Sequence, residues 1–383
     1  MPHPATYLFA GGGTGGHLFP GVAIAEEIQR REPDSRIVFA GCERELERTI
    51  LARHPFHHRP LSVEPLRELI RNPLKFVTRN GSAWIAARRL LHAEQPRAVV
   101  GLGGYASAPL VWAASRRGIP VVLLEQNLIP GRATRWLSRS ADMICASFDE
   151  TKERLPKSAN VAITGNPLRR EITDYVPKQS TSLPCSHQIL VLGGSQGADS
   201  LNDAVLAAMP LLGESRFPWS VIHQTGPRQL EAVRRSYEAL SINAVVESFF
   251  EDMMARYQSV SLVISRAGAT TLAELACCGL PMILLPYPHA TDNHQSANAQ
   301  AYVAHGAAIC LEHLSSPEQT AAQLATLLQD LFSNDARRAA MTVAARRCAR
   351  PSATKEVVDR IVGLGARNVS KCGNPDSVTS SPE

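Results

Sequence analysis

The 383-residue sequence predicts an α/β protein built from two doubly wound, Rossmann-like halves. Short apolar runs that end in glycine or small polar residues alternate with helix-like stretches, which is the βαβ alternation of a parallel sheet. This alternation restarts after a polar, proline-containing stretch at residues 177–184. The chain is also longer than the size at which a single hydrophobic core usually stops growing, so two domains are expected.

The predicted elements follow the chain in order. The strands of the first half are predicted at residues 7–10, 37–41, 98–101, 121–124, 143–146 and 161–165. Those of the second half are predicted at residues 189–192, 220–224, 245–249, 262–265 and 282–285. Residues 317–349 are predicted to be helical because leucines recur there at core-facing spacing. We therefore expect domains at 1–166 and 167–350, a helix at 351–366 that packs back on the first domain, and a disordered tail at 367–383.

Composition restricts the classes of partner and compartment. The net charge of +5 and the pI near 8.8 suit an anionic partner such as nucleic acid, a lipid surface or a phosphorylated substrate, and the magnitude does not choose among them. The eight cysteines form no C-x-x-C pair, which favours a reducing cytoplasm over a disulfide framework or a zinc site. No run approaches the roughly 20 apolar residues of a spanning helix, so membrane contact is expected to be peripheral.

Glycine-rich turns follow predicted strands at residues 11–17, 101–109 and 193–198. Glycine lets a backbone adopt positive φ and approach a ligand closely, and the helix that follows offers unpaired N–H groups and a partial positive charge. The turns at 11–17 and 193–198, which open the first and second halves of the chain, are therefore predicted to hold diphosphate groups.

The first turn also fits the G-x-G-x-x-G pattern through Gly11, Gly13 and Gly16, with Glu43 near the place of a ribose-binding acid. That pattern alone supports a nicotinamide-dependent oxidoreductase, and a non-catalytic nucleotide-sugar-binding protein is a further alternative. Polar segments at other strand ends, 125–127, 166–169, 265–268 and 292–295, favour a cleft enzyme with a large phosphorylated substrate.

The chain resembles the MurG family of N-acetylglucosaminyltransferases from about Tyr7 to about Ala349. The motifs that carry the resemblance are Gly12-Gly13-Thr14-Gly15-Gly16-His17, Gly103-Gly104-Tyr105, Glu125-Gln126-Asn127, Asn166-Pro167-Leu168-Arg169, Gly193-Gly194-Ser195-Gln196-Gly197-Ala198 and Asp292-Asn293-His294-Gln295. The resemblance implies the GT-B fold, with two Rossmann-like domains facing a cleft. It also implies metal-independent, inverting transfer of N-acetylglucosamine from UDP-N-acetylglucosamine to the C4 hydroxyl of muramoyl-pentapeptide on undecaprenyl diphosphate, the lipid I to lipid II step of peptidoglycan synthesis.

Site residues follow from the same resemblance, position by position. The first domain is implied to hold the acceptor diphosphate and the second to hold the UDP-sugar. Within the donor site, Ser195 is implied to hold the diphosphate, Glu274 the ribose hydroxyls and Gln295 the sugar hydroxyls. The uracil is implied to contact the main chain at Phe250. The residues implied to contact the UDP-sugar are Thr14, Gly15, Gly16, Asn127, Arg169, Ser195, Phe250, Ala269, Thr270, Thr271, Leu272, Ala273, Glu274 and Gln295. Those implied to contact the acceptor diphosphate are Gly13, His17, Gly103, Gly104 and Tyr105. The sequence departs from the family at Pro65, where relatives often carry glycine, and the proline restricts a loop expected on the acceptor side.

Inverting transfer needs a base for the acceptor hydroxyl. His17 is the first candidate, because the unperturbed pKa of histidine near 6.5 leaves it largely neutral at working pH, and Glu125 is the second. His17 is alternatively a residue that orients the acceptor diphosphate or caps a helix, and Glu125 is alternatively one that orients its neighbours. The cleft segments contain neither paired carboxylates nor a D-x-D-like pattern, so no metal and no other cofactor is expected.

A basic segment with apolar residues predicts contact with a membrane surface. Arg71, Lys75 and Arg79 recur at helical spacing beside Leu74, before a break expected at Asn80-Gly81. Because the implied acceptor is anchored in lipid, we expect this segment to adsorb to the anionic inner membrane, which places the protein peripherally on the cytoplasmic face. A solvated basic surface over ordinary core residues is the alternative. No nucleic-acid partner is expected.

Overall fold

The computed structural model describes residues 4–64, 67–175, 188–194, 197–213, 220–288, 290–312 and 316–372. The chain forms two compact units, one of residues 1–169 with 352–383 and one of residues 170–351. The boundary at 169/170 lies just beyond the 166/167 boundary expected from the sequence. The predicted linker at 177–184 lies outside the described residues.

A parallel sheet forms the centre of the first unit. Its strands are β1 (Thr6–Gly11), β2 (Arg36–Ala40), β3 (His57–His58), β4 (Ala98–Gly103), β5 (Val121–Glu125), β6 (Met143–Ala146) and β7 (Val161–Ile163), in the order β3-β2-β1-β4-β5-β6-β7. The helices between them are α1 (Gly15–Arg31), α2 (Glu45–Leu51), α3 (Arg67–Arg71), α4 (Pro73–Glu94), α5 (Ala108–Ser115) and α6 (Arg132–Leu137). Chain order reverses across the sheet between β1 and β4, as in a doubly wound fold.

The second unit repeats this plan around a second parallel sheet. Its strands are β8 (Gln188–Leu192), β9 (Ser220–Gln224), β10 (Asn243–Glu247), β11 (Leu262–Ser265), β12 (Met282–Leu284) and β13 (Ala308–Cys310), in the order β10-β9-β8-β11-β12-β13. Its helices are α7 (Arg170–Thr173), α8 (Asp199–Ala208), α9 (Leu230–Ala239), α10 (Met253–Ser259), α11 (Ala269–Cys278), α12 (His294–Ala304), α13 (Pro317–Ser333) and α14 (Asp335–Cys348). The prediction of two Rossmann-like halves is therefore confirmed.

The last helix, α15 (Ala353–Cys372), belongs to the first unit. Its apolar side chains Val357, Val358 and Ile361 are buried in the same cluster as Tyr7 and Phe9 of β1. The Thr354 hydroxyl also accepts a hydrogen bond from the Leu168 N–H (3.0 Å) and donates one to the Leu168 carbonyl (2.8 Å). The end of the chain thus completes the core of the first unit.

Several predicted boundaries were wrong. The strand predicted at 245–249 is β10, Asn243–Glu247, because its backbone pairs with β9 from Asn243↔Ser220 onward. The helix predicted at 317–349 is two helices, because the Asn334 side chain accepts the Arg337 N–H (2.9 Å) and begins α14. The break expected at Asn80-Gly81 does not occur, since the Asn80 carboxamide bonds to the Phe76 carbonyl (2.9 Å) within a continuous α4.

Other differences lie at the ends of the chain's elements. The short strands β3 and β13 were not predicted, because runs of two or three residues carry no periodicity. The equally short β7 and β12 were found as parts of the longer predicted runs 161–165 and 282–285. The disordered tail expected from residue 367 was wrong for residues 367–372, which continue α15, and residues 373–383 lie outside the described residues. Within the described ranges, no helix is both long and apolar enough to cross a membrane.

Candidate active site

The first glycine loop leaves β1 in a backbone conformation that favours glycine. Gly11, Gly12 and Gly13 have φ values of +105°, +146° and +88°. A Cβ on Gly11 would lie 2.5 Å from the Gly103 carbonyl oxygen, and one on Gly12 would collide with the Glu47 carboxylate. Positions 11 and 12 therefore require glycine, because any side chain there would be strained and would have no space. The loop leads into α1, whose cap residue Thr14 makes no side-chain capping bond.

The loop brings His17 against the third glycine turn. The His17 Nδ1 lies 3.2 Å from the Thr14 hydroxyl. A Cβ on Gly103 would lie 3.3 Å from the His17 Nε2, so the imidazole packs directly on that turn. Three residues predicted to contact the acceptor diphosphate, His17, Gly103 and Gly104, therefore meet in the first unit.

Two residues that the sequence analysis missed hold the Gly13 peptide groups. The Gly13 N–H donates to the Glu47 Oε1, and the Gly13 carbonyl accepts from the Arg44 guanidinium (2.7 Å). Glu47 is buried, and its other oxygen lies 3.7 Å from the His58 Nε2. The sequence offered no signal for these contacts, because Arg44 and Glu47 read as ordinary residues at the start of α2.

Glu125, the second candidate base, is engaged by its own loop. One carboxylate oxygen accepts the Asn127 N–H (3.0 Å) and the other accepts the Gly131 N–H (2.9 Å). Burial raises the pKa of Glu125, while hydrogen bonds from Thr134, Asn127 and Gly131 oppose the rise. The side chain is only 3% exposed. This geometry favours the alternative in which Glu125 orients the segment that carries Asn127.

Tyr105 and Arg169 also belong to the first unit. Tyr105 is half-buried beside Cys42 and Arg44; burial raises the pKa of its hydroxyl, and the Arg44 contact lowers it. The Arg169 guanidinium lies over the Phe19 ring, 5.4 Å from its centroid. Pro65 and Leu66 lie outside the described residues.

The second glycine loop leaves β8 in the same manner. Gly194 and Gly197 have φ values of +83° and +74°, and a Cβ on Gly197 would collide with the Thr225 carbonyl. Ser195, predicted to hold the donor diphosphate, lies outside the described residues. The buried side chain of Gln224, missed by the sequence analysis, donates to the Gly194 carbonyl (3.0 Å) and accepts the Phe250 N–H (3.1 Å).

Helix α11 presents the predicted donor residues Ala269, Thr270, Thr271, Leu272, Ala273 and Glu274. The Glu274 Oε2 accepts a hydrogen bond from the Tyr257 hydroxyl (2.7 Å). The Leu272 side chain is completely buried in the core, so any contact of this residue with a ligand is made by its backbone.

A buried arginine stands at the start of the same segment. The Arg266 guanidinium donates to the Leu285 carbonyl (2.8 Å) and to the Ser200 hydroxyl (2.5 Å). Burial lowers its pKa to about 10, which keeps it charged at neutral pH. It therefore supplies positive charge beside the first turn of α8.

The segment at 292–295 forms a strained turn. Asp292 and Asn293 have φ values of +53° and +55°, which non-glycine residues seldom adopt. The Gln295 Oε1 accepts the Tyr287 N–H (2.9 Å), which fixes the carboxamide of the residue predicted to read the sugar hydroxyls. Strain of this kind often accompanies functional sites.

Two Rossmann-like units, each with a glycine loop at the end of its first strand, define a glycosyltransferase of the GT-B class. Residues 7–146 match the N-terminal domain of glycosyltransferase family 28, and residues 188–358 match its C-terminal domain. The crystal structure of MurG from Acinetobacter baumannii is similar, with a TM-score of 0.73 and 30% identity over 94% of this chain and 100% of that one.

Two curated relatives extend this similarity to nearly the whole chain. Both are named UDP-N-acetylglucosamine--N-acetylmuramyl-(pentapeptide) pyrophosphoryl-undecaprenol N-acetylglucosamine transferase. The one from Myxococcus xanthus is 38% identical over 93% of this chain and 92% of its own length. The one from Anaeromyxobacter sp. is 40% identical over 92% of this chain and 91% of its own length. The chain therefore belongs to the MurG family of N-acetylglucosaminyltransferases, and the oxidoreductase alternative is not favoured.

Proposed function

We propose that this protein transfers N-acetylglucosamine from UDP-N-acetylglucosamine to the C4 hydroxyl of lipid-linked muramoyl-pentapeptide. The similarity to transferases of that name over more than nine-tenths of the chain carries this proposal. The two glycine loops support it, because each stands at the end of a parallel strand and leads into a helix, where a diphosphate is readily bound.

In the proposed reaction the acceptor O4 forms a bond to C1 of the sugar as the bond from C1 to the UDP oxygen breaks. The acceptor hydroxyl loses its proton, for which we propose His17 as the base, and the UDP diphosphate leaves with the bonding electrons. General-base help of this kind contributes roughly two to four powers of ten in rate. We propose that Arg266 and the N–H groups of the second loop stabilise the charge on the leaving diphosphate, without a metal ion.

The test is incubation of the purified protein with UDP-N-acetylglucosamine and a short-chain analogue of the lipid-linked acceptor. Acceptor-dependent release of UDP, with one N-acetylhexosamine added to the acceptor by mass spectrometry, is expected. His17→Ala should lower kcat by roughly two powers of ten or more. The matched control is His92→Ala, which removes an exposed histidine at the end of α4. Binding of UDP-sugar without any product would contradict the proposal.

Chelation tests the absence of a metal separately. Excess EDTA should leave the rate of transfer unchanged, because phosphate charge is assigned to arginine and backbone groups. A loss of activity that one particular divalent cation restores would contradict the assignment.

We further propose that α3 and the start of α4 adsorb to an anionic bilayer. Ile70, Leu74 and Val77 are 89%, 74% and 62% exposed, an unusual display of large apolar side chains. Lys75 and Arg79 lie beside them, although both pair with Glu64, at 3.3 and 2.8 Å, so part of their charge is neutralised. We therefore assign the larger share of membrane binding to the apolar side chains.

Replacing Ile70, Leu74 and Val77 together by serine should weaken binding to vesicles that contain phosphatidylglycerol by more than tenfold. The matched control replaces Leu211, Leu240 and Val343, exposed apolar residues of the second unit, by serine. Sedimentation with vesicles gives the affinities, and circular dichroism checks folding. Equal vesicle binding by both variants would remove the proposal.

A further inference from the structure

Gln224 occupies a special position at the end of β9. The sheet order β10-β9-β8 places the end of β9 between the loop that follows β8 and the segment that follows β10. The Gln224 side chain reaches both, donating from Nε2 to the Gly194 carbonyl (3.0 Å) and accepting at Oε1 from the Phe250 N–H (3.1 Å). Its backbone carbonyl also accepts the Gly193 N–H (3.4 Å).

The carboxamide is held rigidly in this bridge. The residue is 4% exposed, and both ends of its side chain are hydrogen-bonded to main-chain groups. Removing the carboxamide would take this acceptor from the Phe250 N–H, which is costly for a buried group. It would also take one of two donors from the Gly194 carbonyl, which accepts the Gly197 N–H as well (3.1 Å). Gly194 has a φ of +83°, so the bond from Gln224 restricts a backbone that glycine otherwise leaves free to turn.

The two bridged segments have different partners in the proposed function. Gly193 and Gly194 open the loop predicted to hold the donor diphosphate, and the main chain of Phe250 is predicted to contact the uracil. The present inference rests on these two predictions of the proposed function. We propose that Gln224 is a positioning residue that couples these segments, so that diphosphate and uracil are bound by one preorganised site and not by two independent contacts. Its contribution is to hold the loop and the base-binding segment at a fixed separation before the nucleotide arrives.

The coupling is measured by comparing the affinity of the protein for UDP with its affinity for uridine, which lacks the diphosphate. Isothermal titration calorimetry of the full chain with UDP and with uridine gives this gain as the ratio of the two Kd values. Gln224→Met, which keeps the length of the side chain but removes both hydrogen bonds, should reduce the ratio by roughly tenfold. Gln229→Met is the matched control, because Gln229 bonds to Asn202 and Asp203 and to neither bridged segment. It should leave the ratio within about twofold of the wild-type value.

A second variant keeps the test decisive if Gln224→Met does not fold. Gln224→Glu retains an acceptor for the Phe250 N–H but turns an oxygen toward the Gly194 carbonyl. It should bind uridine as the wild type does and bind UDP more weakly. Unchanged UDP binding in the folded variants, or an equal loss for UDP and uridine, would overturn the coupling while leaving the transferase proposal intact. A wild-type protein that binds no UDP would instead remove the proposed function itself.

Discussion

The two ring nitrogens of His17 have different surroundings, and this difference sets what the side chain does. Nδ1 lies 3.2 Å from the Thr14 hydroxyl, and Nε2 lies toward Gly103. A neutral imidazole acts as a base through the nitrogen that lacks a proton. If Nε2 takes the acceptor proton, Nδ1 carries the ring proton, and the Thr14 oxygen is placed to accept a hydrogen bond from it. We therefore expect Thr14 to support this tautomer of the proposed base.

Thr14→Val tests this supporting hydrogen bond, because valine keeps the shape of threonine and removes the hydroxyl. We expect kcat to fall by about tenfold, and Thr14→Ser to retain most of it. Initial rates over a range of pH, with KM for UDP-N-acetylglucosamine measured in parallel, separate this effect from a loss of donor binding. A Thr14→Val variant that changes only KM would show that Thr14 contacts the donor and does not orient His17.

Glu125 is expected to behave as an orienting residue. Its two oxygens already accept N–H groups from Asn127 and Gly131. Glu125→Gln should therefore lower the melting temperature and reduce kcat by less than about tenfold, well short of the loss expected for a base. Steady-state kinetics with thermal unfolding checks this expectation. A loss of kcat as large as that of His17→Ala would show instead that Glu125 acts as the base.

At the scale of elements, the glycine loops combine backbone strain with close packing. Gly197 and Gly213 both have positive φ, +74° and +67°, but a Cβ would collide with the Thr225 carbonyl at Gly197 and meet nothing within 4 Å at Gly213. Gly197→Ala should therefore weaken UDP binding strongly, whereas Gly213→Ala should cost only the backbone strain, about 1–3 kcal/mol in stability. Calorimetric titration and thermal unfolding of the two variants measure both effects. Equal behaviour of the two would mean that strain alone fixes the loop.

The second unit also contains a buried histidine that makes its stability depend on pH. His223 on β9 bonds to Tyr237 of α9 (2.9 Å) and Asn202 of α8 (3.0 Å). Burial lowers the pKa of His223 to about 3, whereas an unfolded histidine has a pKa near 6.5. Between these values the unfolded state binds more protons, so the stabilising contribution is complete above about pH 6.5 and is lost as the pH falls.

We therefore expect the wild type to lose about 1 kcal/mol of stability per pH unit below pH 6 relative to His223→Gln, in which residue 223 does not titrate. Differential scanning calorimetry of both proteins at pH 7 and pH 5 measures the difference. Parallel pH profiles for the two proteins would show that His223 is protonated without unfolding.

At the scale of the whole molecule, the first unit is built from both ends of the chain. Val357, Val358 and Ile361 of α15 pack in the core beside β1, although about 350 residues separate them along the chain. The first unit therefore cannot complete its core until the last helix has been synthesised.

Ile361→Ala should destabilise the first unit by about 2–4 kcal/mol, because it leaves a cavity in a closed core. The control Val343→Ala shortens an exposed side chain of α14 and should change stability by less than about 0.5 kcal/mol. Chemical denaturation of both variants gives the comparison. A neutral Ile361→Ala would mean that α15 is not part of the cooperative core.

The fold class, most strands and the glycine loops were predictable from the amino-acid sequence. These features depend on neighbouring residues: apolar runs predict strands, and glycine at a strand end predicts a turn with positive φ, as at Gly11 and Gly194. The same local reasoning failed for β3 and for the start of α14, where a two-residue pairing and a single capping asparagine decided the outcome.

The side chains that hold the glycine loops could be identified only from the folded structure. Glu47 reaches Gly13 because β2 lies beside β1, and Gln224 reaches Gly194 and Phe250 because β9 lies between β8 and β10. Strand order is set by how the helices cover the sheet and is not written in any local pattern. Hydrogen bonds between segments distant in the chain depend on which strands are neighbours in the sheet. They could not be predicted because residue spacing along the chain does not give that order.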